Sequence, residues 1–358
     1  MTLEDIYLLK AIFSWAILML EFPSGVLADR IGRRRCLIFG QGALLIGWVW
    51  YCLAHNFWGF VGAELCLAVG MSLLSGADSS LLHDSLEGLN ESHLYAAIES
   101  KGTSLRLVVF AICCLIGAPL YDWDPHLPFY ATALGPLVGL GLAFGFAEPP
   151  SKGQGREASM WKDVWQTAGR VFQHQDRRRL IIFRAALMLG YSCLYFIYQP
   201  IMVESGLDVK YFGLFYALMN LATAPAVRGA GVMVERYRRP VLLWSLLILD
   251  LLPFGILAFW DGQFALLALL AHFFLKSSLR PILNHYLLEE ADGDKSSIIS
   301  ASAFCDRLFF MTASLVLGGL SGFDLSSLIR LEGIVLALIL LPLGIWLTRP
   351  RPQLGVNR

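Results

Sequence analysis

Eleven times along this 358-residue chain, a stretch of about twenty mostly apolar residues recurs, the length a helix needs to cross a bilayer. The segments run over residues 7–28, 36–54, 57–82, 103–121, 127–147, 180–203, 211–233, 240–260, 263–288, 297–320 and 327–348. Within lipid a backbone must satisfy its own hydrogen bonds, so such segments are helices. The prediction is therefore an all-α, polytopic membrane protein with eleven transmembrane helices. Composition agrees: 16% of residues are charged, against roughly 25% in a soluble domain. A formal net charge of zero argues against a nucleic-acid partner. The seven cysteines (36, 52, 66, 113, 114, 193 and 305) lie almost wholly inside apolar stretches and form no Cys-x-x-Cys pair. Neither a disulfide framework nor a zinc site is indicated. The first apolar stretch runs straight into arginines and a second segment, which is not the pattern of a cleaved signal peptide.

Lysine and arginine give the orientation. Arg30–Arg35, Lys152 to Arg179, Arg236–Arg239 and Lys295 follow the first, fifth, seventh and ninth segments, and Arg349, Arg351 and Arg358 lie in the tail. The opposite loops hold Lys10, Lys210 and Arg330, and otherwise acids such as Asp122, Asp124, Glu204, Asp208, Asp261 and Asp324. The basic side reads as cytoplasm, in a cell inner (plasma) membrane. The C-terminus is then inside and the N-terminus outside.

Gly25-Val-Leu-Ala-Asp29-Arg30 has an echo 206 residues later in Gly231-Val-Met-Val-Glu235-Arg236. Both copies close an apolar segment on the basic side, and both are followed by further arginines, Arg33–Arg35 and Arg238–Arg239. Two halves repeated in parallel are one way transporters are built. The expected domains are an N-terminal bundle over 1–147, a linker over 148–179 with an amphipathic helix around 160–172, a C-terminal bundle over 180–348 and a tail over 349–358. Two segments precede the second copy, but only one fits between Met1 and Gly25.

Gly25 to Arg35 resembles the signature loop of the major facilitator superfamily, Gly-x-Leu-x-Asp-Arg-x-Gly-Arg-Arg, at every position. Leu20-Glu21-Phe22-Pro23-Ser24, Ser75-Gly76-Ala77-Asp78 and Tyr198-Gln199-Pro200 resemble a bacterial drug-efflux-like branch. The resemblance implies twelve helices in two six-helix halves, of which this sequence supplies the second to the twelfth; either a first helix is encoded upstream, which is the expectation, or the protein works with eleven spans, or it does not transport. It implies a monomer in lipid that moves a small molecule, with protons as the coupling ion. It also implies that Asp29 meets the start of helix 297–320 and closes the cytoplasmic side. Gly25, Asp29, Arg30, Gly32, Arg33, Arg34, Gly231, Glu235 and Arg236 are the expected gating residues. A second reading of the arginines is that they merely fix topology at an anionic leaflet.

Ionisable residues deep in a span are costly, which makes them candidates for function. His272, Lys276, Arg280 and Asn284 recur every four residues, on one face of helix 263–288. Glu64 and Asp78 fall in 57–82, Asp250 in 240–260, and Asp306 and Arg307 in 297–320. By resemblance, 57–82 and 263–288 line a central cavity. One reading is a cavity with basic and acidic walls that binds a charged or amphipathic solute and relays protons; the other is static ion pairs. Glu21, before Pro23, divides between proton carrier and structural pair. Tyr191, Tyr195, Tyr198 and Gln199 suit either an aromatic-lined drug site or an interfacial belt. Glu64 departs from the resemblance, since many proton-coupled members carry arginine there, and only Gly117-Ala118-Pro119 remains of the antiporter motif.

No Walker loop, His-Glu-x-x-His or Gly-x-Ser-x-Gly is present, so neither ATP hydrolysis nor an enzyme is indicated, and no cofactor is called for. The expected function is secondary transport of a small organic solute by alternating access, proton-coupled and outward. The alternative is a non-transporting or truncated protein of the same fold acting as a partner or sensor.

Overall fold

The computed structural model describes residues 2–75, 77–148, 173–259, 262–289, 295–320 and 324–348. Among them there is no strand, and each of the eleven apolar segments falls on helix. The helices are α1 (Leu3–Ile31), α2 (Arg33–Leu53), α3 (Phe57–Leu74), α4 (Ala77–Gly88), α5 (Tyr95–Trp123), α6 (Leu127–Gly145) and α7 (Gln175–Phe196). They continue with α8 (Tyr198–Glu204), α9 (Phe212–Arg236), α10 (Arg239–Phe259), α11 (Gln263–Glu289), α12 (Lys295–Gly319) and α13 (Leu325–Thr348). Eight of the described helices are long and apolar enough to cross a bilayer. Their outer faces carry large apolar side chains such as Phe39, Ile46, Leu134, Leu142, Val232 and Leu338, all exposed. In water such a surface would aggregate; in lipid it costs nothing. Pro119, Pro136, Pro225, Pro253, Pro281 and Pro342 stand inside helices, as membrane helices allow.

Two segments read as single spans are each two helices. The expected span 57–82 ends at Leu74, where Ser75 turns extended (φ −60°, ψ 111°), and resumes at Ala77. The expected span 180–203 breaks at Ile197 (φ −100°, ψ 6°). Pro200 explains this second break: it has no N–H, and its ring would collide with the carbonyl of Phe196, four residues earlier. The connection 83–102, between the third and fourth apolar segments, is mostly helix. Leu81 and Leu86 give α4 a buried face, and Asn90, left-handed at φ 58°, ends it. The Glu91 N–H bonds the Leu86 carbonyl and the Asn90 N–H bonds that of Glu87, a Schellman closure. The expected amphipathic helix at 160–172 lies outside the described residues.

The chain forms two compact units. The first holds residues 1–157 with 208–220 and 310–321. In it α2 packs on α1, α3 and α6. Gly40 and Gly70 let α2 and α3 approach closely: a Cβ at Gly70 would stand 2.8 Å from the Gly40 carbonyl oxygen. Cys36, Leu37, Ala77, Leu81 and Ala143 form a buried knot where α2, α4 and α6 meet. The second unit holds residues 158–207, 221–309 and 322–358. Its centre is α10 against α11 and α13, with α7 packed on α10, α11 and α13. Leu180, Ile181, Phe183 and Leu187 of α7 are fully buried.

Candidate substrate and proton sites

In the first unit the signature loop is a set of helix-end ties. One residue, Gly32, separates α1 from α2, at φ +97°, where a side chain would be strained. The Glu148 carboxylate takes the space a Cβ would fill, 2.8 Å from that position. It accepts the Arg33 N–H at 2.7 Å and the Arg34 N–H at 2.9 Å. These are two of the unpaired donors at the start of α2, where the helix dipole also favours an anion. The Arg33 guanidinium donates to the Ser80 carbonyl at 2.7 Å and pairs with Asp84, both on α4. Arg34 donates to the Phe144 carbonyl at 2.8 Å, at the end of α6. So these two arginines join α2 to α4 and α6.

The other gating candidates stand differently. Gly25, Asp29 and Arg30 lie in the last turns of α1, and their side chains, with that of Glu21, are outside the described residues. In the second copy, Gly231, Glu235 and Arg236 are exposed at the end of α9.

Glu64, 1% exposed on α3, is paired: Lys10 of α1 lies at 2.5 Å and the Tyr51 hydroxyl of α2 donates to it at 2.7 Å. Asp78 is not a mid-span residue. The break before Ala77 puts it in the first turn of α4, exposed.

The second unit buries a polar cluster among α7, α8, α10 and α11. Asp250 and His272 are both fully buried, with His272 Nε2 3.8 Å from Asp250 Oδ1. Tyr198, at the start of α8, hydrogen-bonds His272 Nδ1 at 2.8 Å. Tyr191 stacks on the imidazole at 5.4 Å, and Phe254 meets it edge-on at 6.1 Å. Tyr195 bridges Tyr191 and Tyr198, with ring centroids 5.7 and 5.5 Å away. Neither Asp250 oxygen has a hydrogen-bond partner among the described residues. Gly190 makes room for that carboxylate, since a Cβ there would stand 2.7 Å from Asp250 Oδ2. Buried Glu332 of α13 lies one turn before Leu336, which also packs on Gly190. Gln199 is exposed, and the Lys276 side chain is outside the described residues.

A second polar group joins α7 to α12. Arg184, 2% exposed, donates to Asp306 at 2.9 Å and to the Ser302 hydroxyl. Arg280 of α11 is an electrostatic neighbour of both Arg184 and Asp306, and Arg307 is half-buried one residue beyond. Arg184 is absent from the sequence expectations. It stands five residues into an apolar run, just after Arg177–Arg179, whose charges read as part of the linker. The signal was a cation inside a span, and hydropathy averaging hid it.

A model of the Major Facilitator Superfamily matches residues 1–229. The chain belongs to the major facilitator superfamily. No curated protein matches it significantly in sequence. Among solved structures, the nucleoside transporter NupG superposes with a TM-score of 0.78 at 12% identity, covering 98% of this chain and 92% of that one. A D-xylose-proton symporter gives 0.75 at 12% identity, covering 98% and 88%. The xylose transporter XylE from E. coli, in a partially occluded inward open conformation, gives 0.65 at 13% identity, covering 97% and 89%. At such identities the likeness is one of fold. As a superfamily member the chain is a multi-pass helical membrane protein with a transporter fold.

Proposed function

We propose that the protein is a secondary active transporter, moving a small organic solute across the membrane by alternating access, coupled to protons and directed outward. Superfamily membership supports transport, and one of the structural neighbours bears the name of a proton symporter. The outward direction is supported by the Leu20–Ser24, Ser75–Asp78 and Tyr198–Pro200 stretches, which resemble a drug-efflux-like branch.

The observation that carries the coupling is the Asp250–His272 pair. A charged carboxylate with no hydrogen bond is very costly in a dry interior. With the Tyr198 hydroxyl donating to Nδ1, the neutral imidazole keeps its proton on Nε2, the nitrogen that faces Asp250. The pair is stable as neutral carboxylic acid with neutral histidine, or as carboxylate with imidazolium. Either way it holds one proton more than carboxylate and neutral imidazole would. A transport cycle that lets water reach the pair can exchange that proton; Tyr191, Tyr195 and Tyr198 form the surrounding wall.

Glu64 is less suited to this role. Lys10 and Tyr51 already neutralise and hydrogen-bond it, so it serves to hold α1, α2 and α3 together.

The test is transport in proteoliposomes with and without an imposed pH gradient. Asp250→Asn should abolish gradient-driven accumulation while leaving solute counterflow within about threefold, because the asparagine removes the titrating group and keeps its shape. Wild-type protein that shows no flux under any gradient would reject transport. An Asp250→Asn protein that still accumulates solute would reject this proton site.

A further inference from the structure

Among the described residues where α7, α11 and α12 carry buried charge, two arginines face one acid. Arg184 stands nine residues from the start of α7, Arg280 nine from the end of α11, and Asp306 eleven from the start of α12. At 1.5 Å per residue Arg280 and Asp306 lie about 14–17 Å from the helix ends that the basic loops mark as cytoplasmic, and Arg184, five residues into its apolar run, reaches Asp306 from the cytoplasmic side. Arg184 pairs with Asp306 inside the membrane, and the second guanidinium, Arg280, acts on both only through its field.

The hydrogen bonds show the imbalance. Arg184 gives one N–H to Asp306 and one to Ser302, and its buried Nε has no partner among the described residues. Asp306 Oδ1 is likewise buried and without a hydrogen bond. Arg280 is exposed and makes no hydrogen bond or ion pair among the described residues, although it acts electrostatically on both. An arginine this deep cannot point into hydrocarbon, so its exposed face meets a water-filled space. A static ion pair accounts for Arg184 with Asp306. It leaves Arg280 unexplained.

We infer that Arg280, Arg184 and Ser302 form a subsite for the acidic headgroup of a small organic anion, with Asp306 as the resident counter-ion that occupies Arg184 when no solute is bound. Guanidinium groups suit this task, because their planar fork meets a carboxylate or phosphate with two parallel bonds. A neutral solute would leave the excess charge unbalanced, and a cation would be repelled. Displacement of Asp306 by the incoming anion also frees a carboxylate, so anion and resident acid compete for one cation. This inference rests on the transporter reading for its purpose but not for its test.

The test is equilibrium binding without any gradient, on the full chain in phosphatidylcholine nanodiscs, read as the shift in unfolding temperature. Benzoate, glutarate and glucose 6-phosphate are compared with benzamide, glutaramide and glucose. At least one anion should stabilise the protein while its neutral counterpart does not. Arg280→Gln should weaken that binding at least tenfold; the residue makes no hydrogen bond among the described residues, so the variant should keep its fold. Asp306→Asn should tighten binding about threefold or more, because the competing acid is gone, whereas a purely structural or cation-binding Asp306 would give weaker binding.

Three results overturn the inference: no anion binds, Arg280→Gln binds as well as wild type, or Asp306→Asn abolishes binding. Stabilisation by phosphatidylglycerol nanodiscs and by none of the solutes would assign the site to a lipid headgroup, and it overturns the solute reading too. Anion binding without flux in proteoliposomes would defeat the transporter reading alone. Flux of only neutral or cationic solutes would defeat the anion subsite alone.

Discussion

The Tyr198 hydroxyl lies 2.8 Å from His272 Nδ1, and the far nitrogen of the same ring lies 3.8 Å from Asp250. Three helices, α8, α10 and α11, thus meet in one chain of polar atoms, and the break at Ile197 is what brings Tyr198 to it. Tyr198→Phe removes the hydrogen-bond partner of Nδ1 and leaves a buried nitrogen unsatisfied, costing about 1–3 kcal/mol. We expect gradient-driven transport to fall about tenfold, with counterflow within twofold of wild type. If Tyr198 were only scaffold, both rates would fall together. Initial rates in proteoliposomes, with and without a pH gradient, separate the two.

Much of this fold is legible from hydropathy alone, because the bilayer imposes one blunt length on every spanning helix. Hydropathy is equally blind to breaks. Pro200 was a visible signal for the interruption at Ile197, but a twenty-residue average passes over it. Gly32 was legible as a turn, while its partner Glu148 was not: Glu-Pro-Pro reads as the start of a linker, and only the fold carries it back to α2. Asp84 was lost in the same way, in a stretch whose short amphipathic helix read as a loop. Deep charges were legible as a class, but their partners were not. Glu64 proved to be paired with Lys10, while among the described residues the charged partner of Asp250 is a histidine at 3.8 Å. Which acid sits beside a lysine and which beside a histidine depends on distances that sequence spacing within one helix does not contain.

Gly32 and Glu148 are expected to be energetically coupled. Gly32→Ala forces a side chain into φ +97° and places its Cβ 2.8 Å from the Glu148 carboxylate, for a cost of about 1–3 kcal/mol. Glu148→Ala removes the acceptor for the Arg33 and Arg34 N–H groups, worth about 0.5–2 kcal/mol as a helix cap, toward the low end because the site is exposed. Once Gly32→Ala has displaced the carboxylate, adding Glu148→Ala should cost only a few tenths of a kcal/mol. Unfolding temperatures of the four proteins in one detergent form the cycle; additive losses would show that the carboxylate does not cap α2.

Lys10→Met should destabilise the first unit more than the double variant Lys10→Met/Glu64→Gln. The single change strands a carboxylate that is 1% exposed, beside the tyrosine that donates to it. Breaking a fully buried pair costs about 3–5 kcal/mol. Lys10 is a third exposed, so about 1–3 kcal/mol is expected after solvent screening. The double variant removes both charges and should recover more than half of the loss. Equal unfolding temperatures for single and double variants would mean that Glu64 gains little from its lysine.

At the start of α13, Asp324 makes a charge-dependent cap outside the spans. The Ser326 hydroxyl donates to Oδ2 at 2.6 Å and the Ser327 N–H donates to the same oxygen at 3.0 Å. These bonds, that from Ser326 first, hold the Asp324 carboxyl down at about 2. A carboxyl lowered by folding stabilises the folded state above its unfolded value, about 3.9, and that contribution disappears as pH falls through about 2. The cap should therefore stay charged at every physiological pH, and lowering the pH from 7 to 5 should leave it intact. Ser326→Ala removes the strongest bond and should move the midpoint upward, toward the unfolded value. Carboxyl carbon shifts of aspartate-labelled protein, with Asp324→Asn to assign the signal, follow this directly. A midpoint in wild type near 3.9, unmoved by Ser326→Ala, would show that the hydroxyl does not hold the charge.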